Sequence, residues 1–286
     1  MSDTWGLAGG DAIAPGITAV RSVGGGEVYE AWLAFDERLY APVVVKAVRP
    51  GHVGTEGARA GLLREVEMLS RLNHPGIVRL FAYDDEADRP YLVLENIDGP
   101  NLSSLISKHG YLPLHQLLPL GLELCSALHY LRREGICHLD IKPSNVIMGA
   151  PAKLIDLSIA MDVSDARALD QPVGSDEYMA PEQCLAGDPA AGGVVDHASD
   201  MWAFGATMFR AAAGFRAYDR EPRWQQLTAR PHAVPHFVPA ALGDLIAACL
   251  APSPGGRPRP DEAAAALEPL MDRLPQARLS GFKISL

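Results

Sequence analysis

Asp140, Lys142 and Asn145 fall within six residues of one another, in the run His138-Leu139-Asp140-Ile141-Lys142-Pro143-Ser144-Asn145-Val146-Ile147. A carboxylate that can accept a hydroxyl proton, an ammonium that can hold a departing phosphoryl group and a carboxamide oxygen that can bind Mg²⁺ are three parts of phosphoryl transfer. Downstream, Lys153-Leu154-Ile155-Asp156-Leu157-Ser158 supplies Asp156, a second oxygen donor of the kind that suits this hard ion. Upstream stand Lys46, in Val43-Val44-Val45-Lys46, and Glu65, in Arg64-Glu65-Val66-Glu67. Any one of these charges alone would be read as a solvated surface group, so their combination and order carry the signal.

The elements that must position these groups change character part-way along the chain. From Ile17 to Ala47, β-branched and aromatic runs are broken by Gly24-Gly25-Gly26 and Asp36-Glu37-Arg38, which predicts three strands. A helix is predicted from Glu56 to Leu72, with Leu63, Val66 and Leu69 as its apolar stripe and Asn73-His74-Pro75-Gly76 as its stop. Ile77 to Tyr83 and Tyr91 to Glu95 read as two further strands. Beyond Gly99 the pattern is helical: Leu117, Leu120, Leu124, Leu128 and Leu131 form a stripe closed by Gly135. Further helices are expected at Ser199 to Ala213, Ala240 to Leu250 and Asp261 to Leu274.

In this order the motifs resemble those of eukaryotic-type bacterial serine/threonine protein kinases, over residues 17 to 275. The resemblance implies an α+β, bilobal fold: a small five-stranded β lobe with one main helix (16–95), a hinge (95–101) and a larger, mainly α-helical lobe (102–275). It implies Asp140 as base, Lys142 at the γ-phosphoryl group, Lys46 on the nucleotide phosphates with Glu65 as its partner, and Asn145 and Asp156 as Mg²⁺ ligands. Nucleotide contacts are expected from the turn Val23, Gly24, Gly25 and Gly26, from Val28, Val44, Leu94 and Ile147 around adenine, from the hinge residues Glu95 and Ile97, and from Asn101 beside the ribose. His138, Leu69, Leu80 and Leu157 fill hydrophobic spine positions. Gly174-Ser175-Asp176-Glu177-Tyr178-Met179-Ala180-Pro181-Glu182, Asp200 and Arg257 resemble the peptide-docking machinery. Ser175 together with Lys142 points to Ser/Thr acceptors.

Four departures from the family pattern qualify the expectation. Arg21 and Val23 replace the first two glycines of the phosphate loop, although Gly24 and Gly25 can compensate. Val44 stands where alanine is common and narrows the adenine slot. Leu157 and Ser158 replace Phe and Gly after Asp156, which predicts a stiffer hinge because serine lacks glycine's backbone freedom. Leu139 replaces the arginine that in many relatives receives an activation-segment phosphate, so a charge-assisted clamp cannot form there. The expected function is therefore Mg²⁺·ATP-dependent phosphorylation of protein Ser/Thr without that clamp, and the alternative is a pseudokinase scaffold that regulates a partner.

Composition sets outer bounds. The chain has 286 residues, 48 % of them hydrophobic, enough for two lobes of one catalytic domain. A net charge of −10 argues against a nucleic-acid or anionic-membrane surface, where basic residues would have to release counterions. Cys125, Cys137, Cys184 and Cys249 lack metal-type spacing and read as buried thiols of a cytoplasmic protein. The run Met201 to Phe215, interrupted by Arg210, is too short for a membrane span. Residues 1–15 read as a flexible leader, and 276–286 as an alternating tail that docks on the large lobe, recruits a regulatory protein partner or is autophosphorylated at Ser280 or Ser285.

Overall fold

The computed structural model describes residues 3–188 and 193–274. Its small lobe is a single antiparallel sheet: β1 (Ala12–Ala14), β2 (Ile17–Gly25), β3 (Tyr29–Asp36), β4 (Ala41–Val48), then helix α1 (Glu56–Arg71), β5 (Leu80–Asp84) and β6 (Tyr91–Glu95). The spatial order is β1-β2-β3-β4-β6-β5. On β4 the period of two sends Val43, Val45 and Ala47 into the core. Val44 and Lys46 therefore share the opposite face, which turns toward the cleft.

Three expectations for this lobe need correction. The sheet has six strands, because Ala12–Ala14 pairs with β2; three residues are too few to display a period. The segment before it is not a loose leader from residue 3 onward. Trp5 Nε1 donates to Val48 O at 2.8 Å, Asp3 Oδ1 accepts from Gly51 N, and Arg89 stacks over the Trp5 ring at 4.4 Å. On α1 the buried stripe is Leu62, Val66 and Leu69, with Glu65 beside them, while Leu63 is 38 % exposed. A spacing of three drifts off the 3.6-residue period, so position 62 faces the core and 63 turns away. The tail 276–286 lies outside the described residues.

The large lobe contains α2 (Leu102–His109), α3 (Leu114–Arg133), β7 (Ile136–Cys137), β8 (Val146–Ile147), β9 (Lys153–Leu154), β10 (Met161–Asp162), α4 (Val163–Arg167), α5 (Pro181–Cys184), α6 (His197–Ala213), α7 (Ala240–Cys249) and α8 (Pro260–Met271). The Leu117 to Leu131 stripe of α3 is buried, and Gly135, at φ 73°, turns the chain into β7. Helix α6 is buried along most of its length, Trp202, Phe204 and Phe209 included, with Ser199, Asp200 and Thr207 buried among them, which makes it the pillar of the lobe. None of the described helices is long and apolar enough to cross a membrane. The four cysteines are buried and free.

One ion pair sits wholly inside this lobe. Arg257 grips Glu182 with both ends of its fork, at 2.6 and 2.8 Å, and lies 5.0 Å from the Trp202 ring. Its other donors reach Ala198 O, Ala251 O and Pro252 O, and Ser199 Oγ donates to Glu182 Oε1 at 2.7 Å. Every charge here is satisfied, so the pair fixes α5 against α6 at small net cost. Removing one partner strands the other: Arg257→Ala is expected to lower stability by about 3–5 kcal/mol. The check is a urea titration, and a loss below about 1 kcal/mol would show that Glu182 finds another partner.

Candidate active site

Lys46 is the meeting point of two candidate carboxylates, one from each lobe. Its Nζ lies 2.6 Å from Glu65 Oε2 on α1 and 2.8 Å from Asp156 Oδ1, beyond β9. The Tyr29 ring sits 4.7 Å from the ammonium, and the Tyr29 hydroxyl donates to Ala58 O on α1 at 2.8 Å. Burial alone would depress the Lys46 ammonium, but the two carboxylates outweigh it and raise the group, so it stays charged. Burial likewise pulls the Asp156 carboxyl upward. Attraction to Lys46 and hydrogen bonds from Lys46 and Ser158 overcome this and hold it at about 2. Glu65 Oε1 additionally accepts from Leu157 N at 3.3 Å.

The catalytic loop hangs between β7 and β8. Leu139 adopts a left-handed backbone, φ 64°, which costs a branched residue on the order of 1 kcal/mol or more. The surroundings enforce it from both sides. Asp200 accepts from His138 N and Leu139 N at 2.8 Å each, and Gln183 Nε2 donates to Leu139 O at 3.0 Å. Gly174 is needed here because a Cβ would come 2.9 Å from Leu139 O. Cys137 Sγ lies 3.5 Å from His197 Nδ1, near Asp200. That trio is an internal hydrogen-bonding group: burial pushes the thiol up, and both Asp200 oxygens already serve backbone amides.

Beyond Leu139 the polar groups converge on Asp140. Lys142 Nζ donates to Asp140 Oδ2 and to Ser175 Oγ, both at 2.7 Å, while Ser175 Oγ donates to Asp140 Oδ1 at 2.7 Å. Asn145 Nδ2 donates to Asp140 O and Oδ2 at 3.0 Å. With its NH₂ committed, Asn145 is left with its carbonyl oxygen as the free ligand atom. The β8–β9 hairpin, through Ile155 N to Asn145 O at 2.9 Å, places Asn145 next to Asp156. A carboxamide oxygen beside a carboxylate is a donor set that fits Mg²⁺. The His138 side chain is buried, with Nδ1 accepting from Asp140 N at 3.3 Å, so it props the loop.

Around the cleft, Val28 from the turn before β3, Val44 from β4 and Ile97 from the hinge pack against the main core, and Leu94 is buried in it. Asn101 caps α2, accepting from Ser104 N at 2.8 Å, and pairs with Ile147 across the slot floor. Glu95 is fixed by Lys153, whose Nζ is 2.7 Å from both carboxylate oxygens, and its amide donates to Arg79 O. The glycine turn is a continuation of β2. Gly25 pairs closely with β3, where a Cβ would lie 2.5 Å from Tyr29 O, and its φ of 148° is open only to glycine. Val23 is exposed, and Gly26 O accepts from Arg49 Nε at 2.8 Å.

Residues 17–267 match the protein kinase domain. The chain belongs to the protein kinase family. The serine/threonine-protein kinase PknB of Mycobacterium leprae is 30 % identical over 201 residues, which are 67 % of this chain and 31 % of that protein. For the serine/threonine-protein kinase pkn2 of Myxococcus xanthus the figures are 30 % over 210 residues, 70 % and 24 %. For the serine/threonine-protein kinase PrkC of Bacillus subtilis they are 30 % over 206 residues, 71 % and 31 %. The matches thus span less than a third of these curated relatives' length. The bilobal kinase fold accords with the family.

The structure brings Lys46, Glu65 and Asp156 into one cluster and Asp140, Lys142 and Asn145 into another. Sequence reasoning missed three supports: Tyr29 under Lys46, Lys153 on Glu95, and Arg49 behind the glycine turn. Each is a long-range pairing that no spacing announces. A depressed carboxyl contributes stability in full above its unfolded value of 3.8 and loses it as pH falls toward 2. In metal-free buffer, the stability gap between wild type and Asp156→Asn should therefore be constant above about pH 5 and close below that. Ser158→Gly should speed amide exchange around Asp156, because it removes a hydrogen bond and frees the backbone; unchanged exchange would remove Ser158 from this account.

Proposed function

We propose that this chain is a serine/threonine protein kinase that transfers the γ-phosphoryl group of Mg²⁺·ATP to a protein hydroxyl without an activation-segment phosphate. The observation that carries the reading is the closed triangle of Asp140, Lys142 and Ser175, with each edge 2.7 Å long. Asp140 accepts the proton of the incoming hydroxyl, and Lys142 is placed to neutralise charge on the moving phosphoryl group. Asn145 and Asp156 would hold Mg²⁺, which neutralises phosphate charge when bound. Lys46, kept charged and fixed by Glu65, would hold the nucleotide phosphates. Four buried free thiols support a cytoplasmic setting.

Phosphate independence draws its support from the surroundings of Leu139. Leu139 belongs to a buried apolar cluster with Cys137, Ala166 and Val195, and Ile159, Met161, Val163 and Leu169, which follow Asp156, pack against that cluster. Apolar burial thus occupies the place where a cation would wait for a phosphate. Incubation with Mg²⁺, labelled ATP and generic protein acceptors should show transfer that Asp140→Asn reduces by about 10²–10⁴-fold. Phosphatase treatment should leave the rate unchanged, and so should Ser164→Ala, which removes the hydroxyl that α4 offers between Asp156 and Glu182. No transfer above the Asp140→Asn control, with nucleotide bound, would favour the scaffold; loss after phosphatase treatment that Ser164→Ala reproduces would sink phosphate independence.

A further inference from the structure

Arg71 is the last residue of α1, the helix that presents Glu65 to Lys46. Its guanidinium meets Asp162 fork to fork: Nη2 to Oδ1 at 2.8 Å and Nη1 to Oδ2 at 3.0 Å. Asp162 belongs to β10, which pairs with β7 at the entrance to the catalytic loop, and it immediately precedes α4 of the activation segment. Although it occupies the position before that helix, its side chain caps no helix amide. The carboxylate is directed to Arg71 instead. Attraction and hydrogen bonding are mutual, raising the Arg71 guanidinium and lowering the Asp162 carboxyl, while Glu67 and Glu134 also act on Arg71.

Position makes this pair different from an ordinary surface contact. Glu65 lies six residues before Arg71 on the same rigid helix, about 9 Å along its axis. A shift at the Arg71 end therefore moves Glu65 relative to Lys46. Leu139 offers no cation to an anion on the segment, yet Asp162 supplies a permanent anion and α1 supplies the cation. We infer that Arg71 and Asp162 are positioning residues for phosphoryl transfer: a built-in carboxylate clamps the activation segment to the Glu65 helix in place of a phosphate. The inference rests on the kinase reading for its effect on turnover. The clamp itself is a property of the folded chain.

The test uses the full chain with Arg71→Asp, Asp162→Arg and the double swap, which restores a pair with reversed sign. One readout is hydrogen exchange of amides 163–169 and 65–71 without nucleotide; the other is kcat/KM with Mg²⁺·ATP. Each single variant should raise exchange in both segments and, at low salt, lower kcat/KM by about two- to tenfold. The double swap should recover most of both losses. Arg71→Lys, which keeps the charge and loses the fork, should fall between wild type and Arg71→Asp and covers the case of a reversed charge that prevents folding. Wild-type exchange in the single variants, or a double swap whose losses simply add, would overturn the clamp. A wild type without transfer above Asp140→Asn would instead remove the kinase reading, and the exchange results would still decide the clamp.

Discussion

One buried ammonium organises the cleft. Lys46 comes from the sheet, Glu65 from α1 and Asp156 from the start of the activation segment, and their three side chains meet within hydrogen-bonding distance. A cation this far from water needs the carboxylates, and Glu65, itself 1 % exposed, needs the cation. If α1 drifts, Glu65 is left buried without its cation, and if the segment drifts, Lys46 loses one of its two carboxylates. The contact therefore converts the mutual placement of three elements into a single electrostatic condition.

The second cluster obeys a different rule. Around Asp140 the groups are held by backbone, because Asp200 grips the loop through two amides and Gln183 through a carbonyl. Those bonds hold Leu139 in a left-handed conformation, and the apolar cluster around Leu139 then receives the activation segment. Electrostatics at Lys46 and apolar packing at Leu139 thus grip the same segment at two points. The first demands charge and the second excludes it, so the segment is attached by two contacts of different kind.

How far the sequence could be read depended on range. Local signals served well: the stripe of α3, its closing Gly135, and the strand pattern from Ile17 to Ala47. The string that carries Asp140, Lys142 and Asn145 was legible as a group in the limited sense that the structure hydrogen-bonds the three side chains together. Illegible were the pairings across the chain that no motif carries, whereas Lys46 with Glu65 was read from the motifs. Arg71 and Asp162 lie 91 positions apart, and each looks like a solvated charge in its own neighbourhood. Leu63 was misplaced for a simpler reason: on a helix of 3.6 residues per turn a spacing of three selects a neighbouring face, and Leu62 already occupied the buried one.

The glycine turn shows how a departure from a motif can be absorbed. Arg21 and Val23 break the pattern of the phosphate loop, but both lie on β2, where an exposed side chain is tolerated, and the strand runs on to Gly25. The need for a residue without Cβ falls at Gly25, because that is where the backbone passes closest to β3. Arg49 then holds the tip from behind, its Nε on Gly26 O and its Nη1 on Asp3 O at 2.9 Å. The segment before β1, itself docked on the sheet, thereby becomes part of the support for the glycine turn. A turn braced in this way has less backbone freedom than one with glycines at positions 21 and 23 would have.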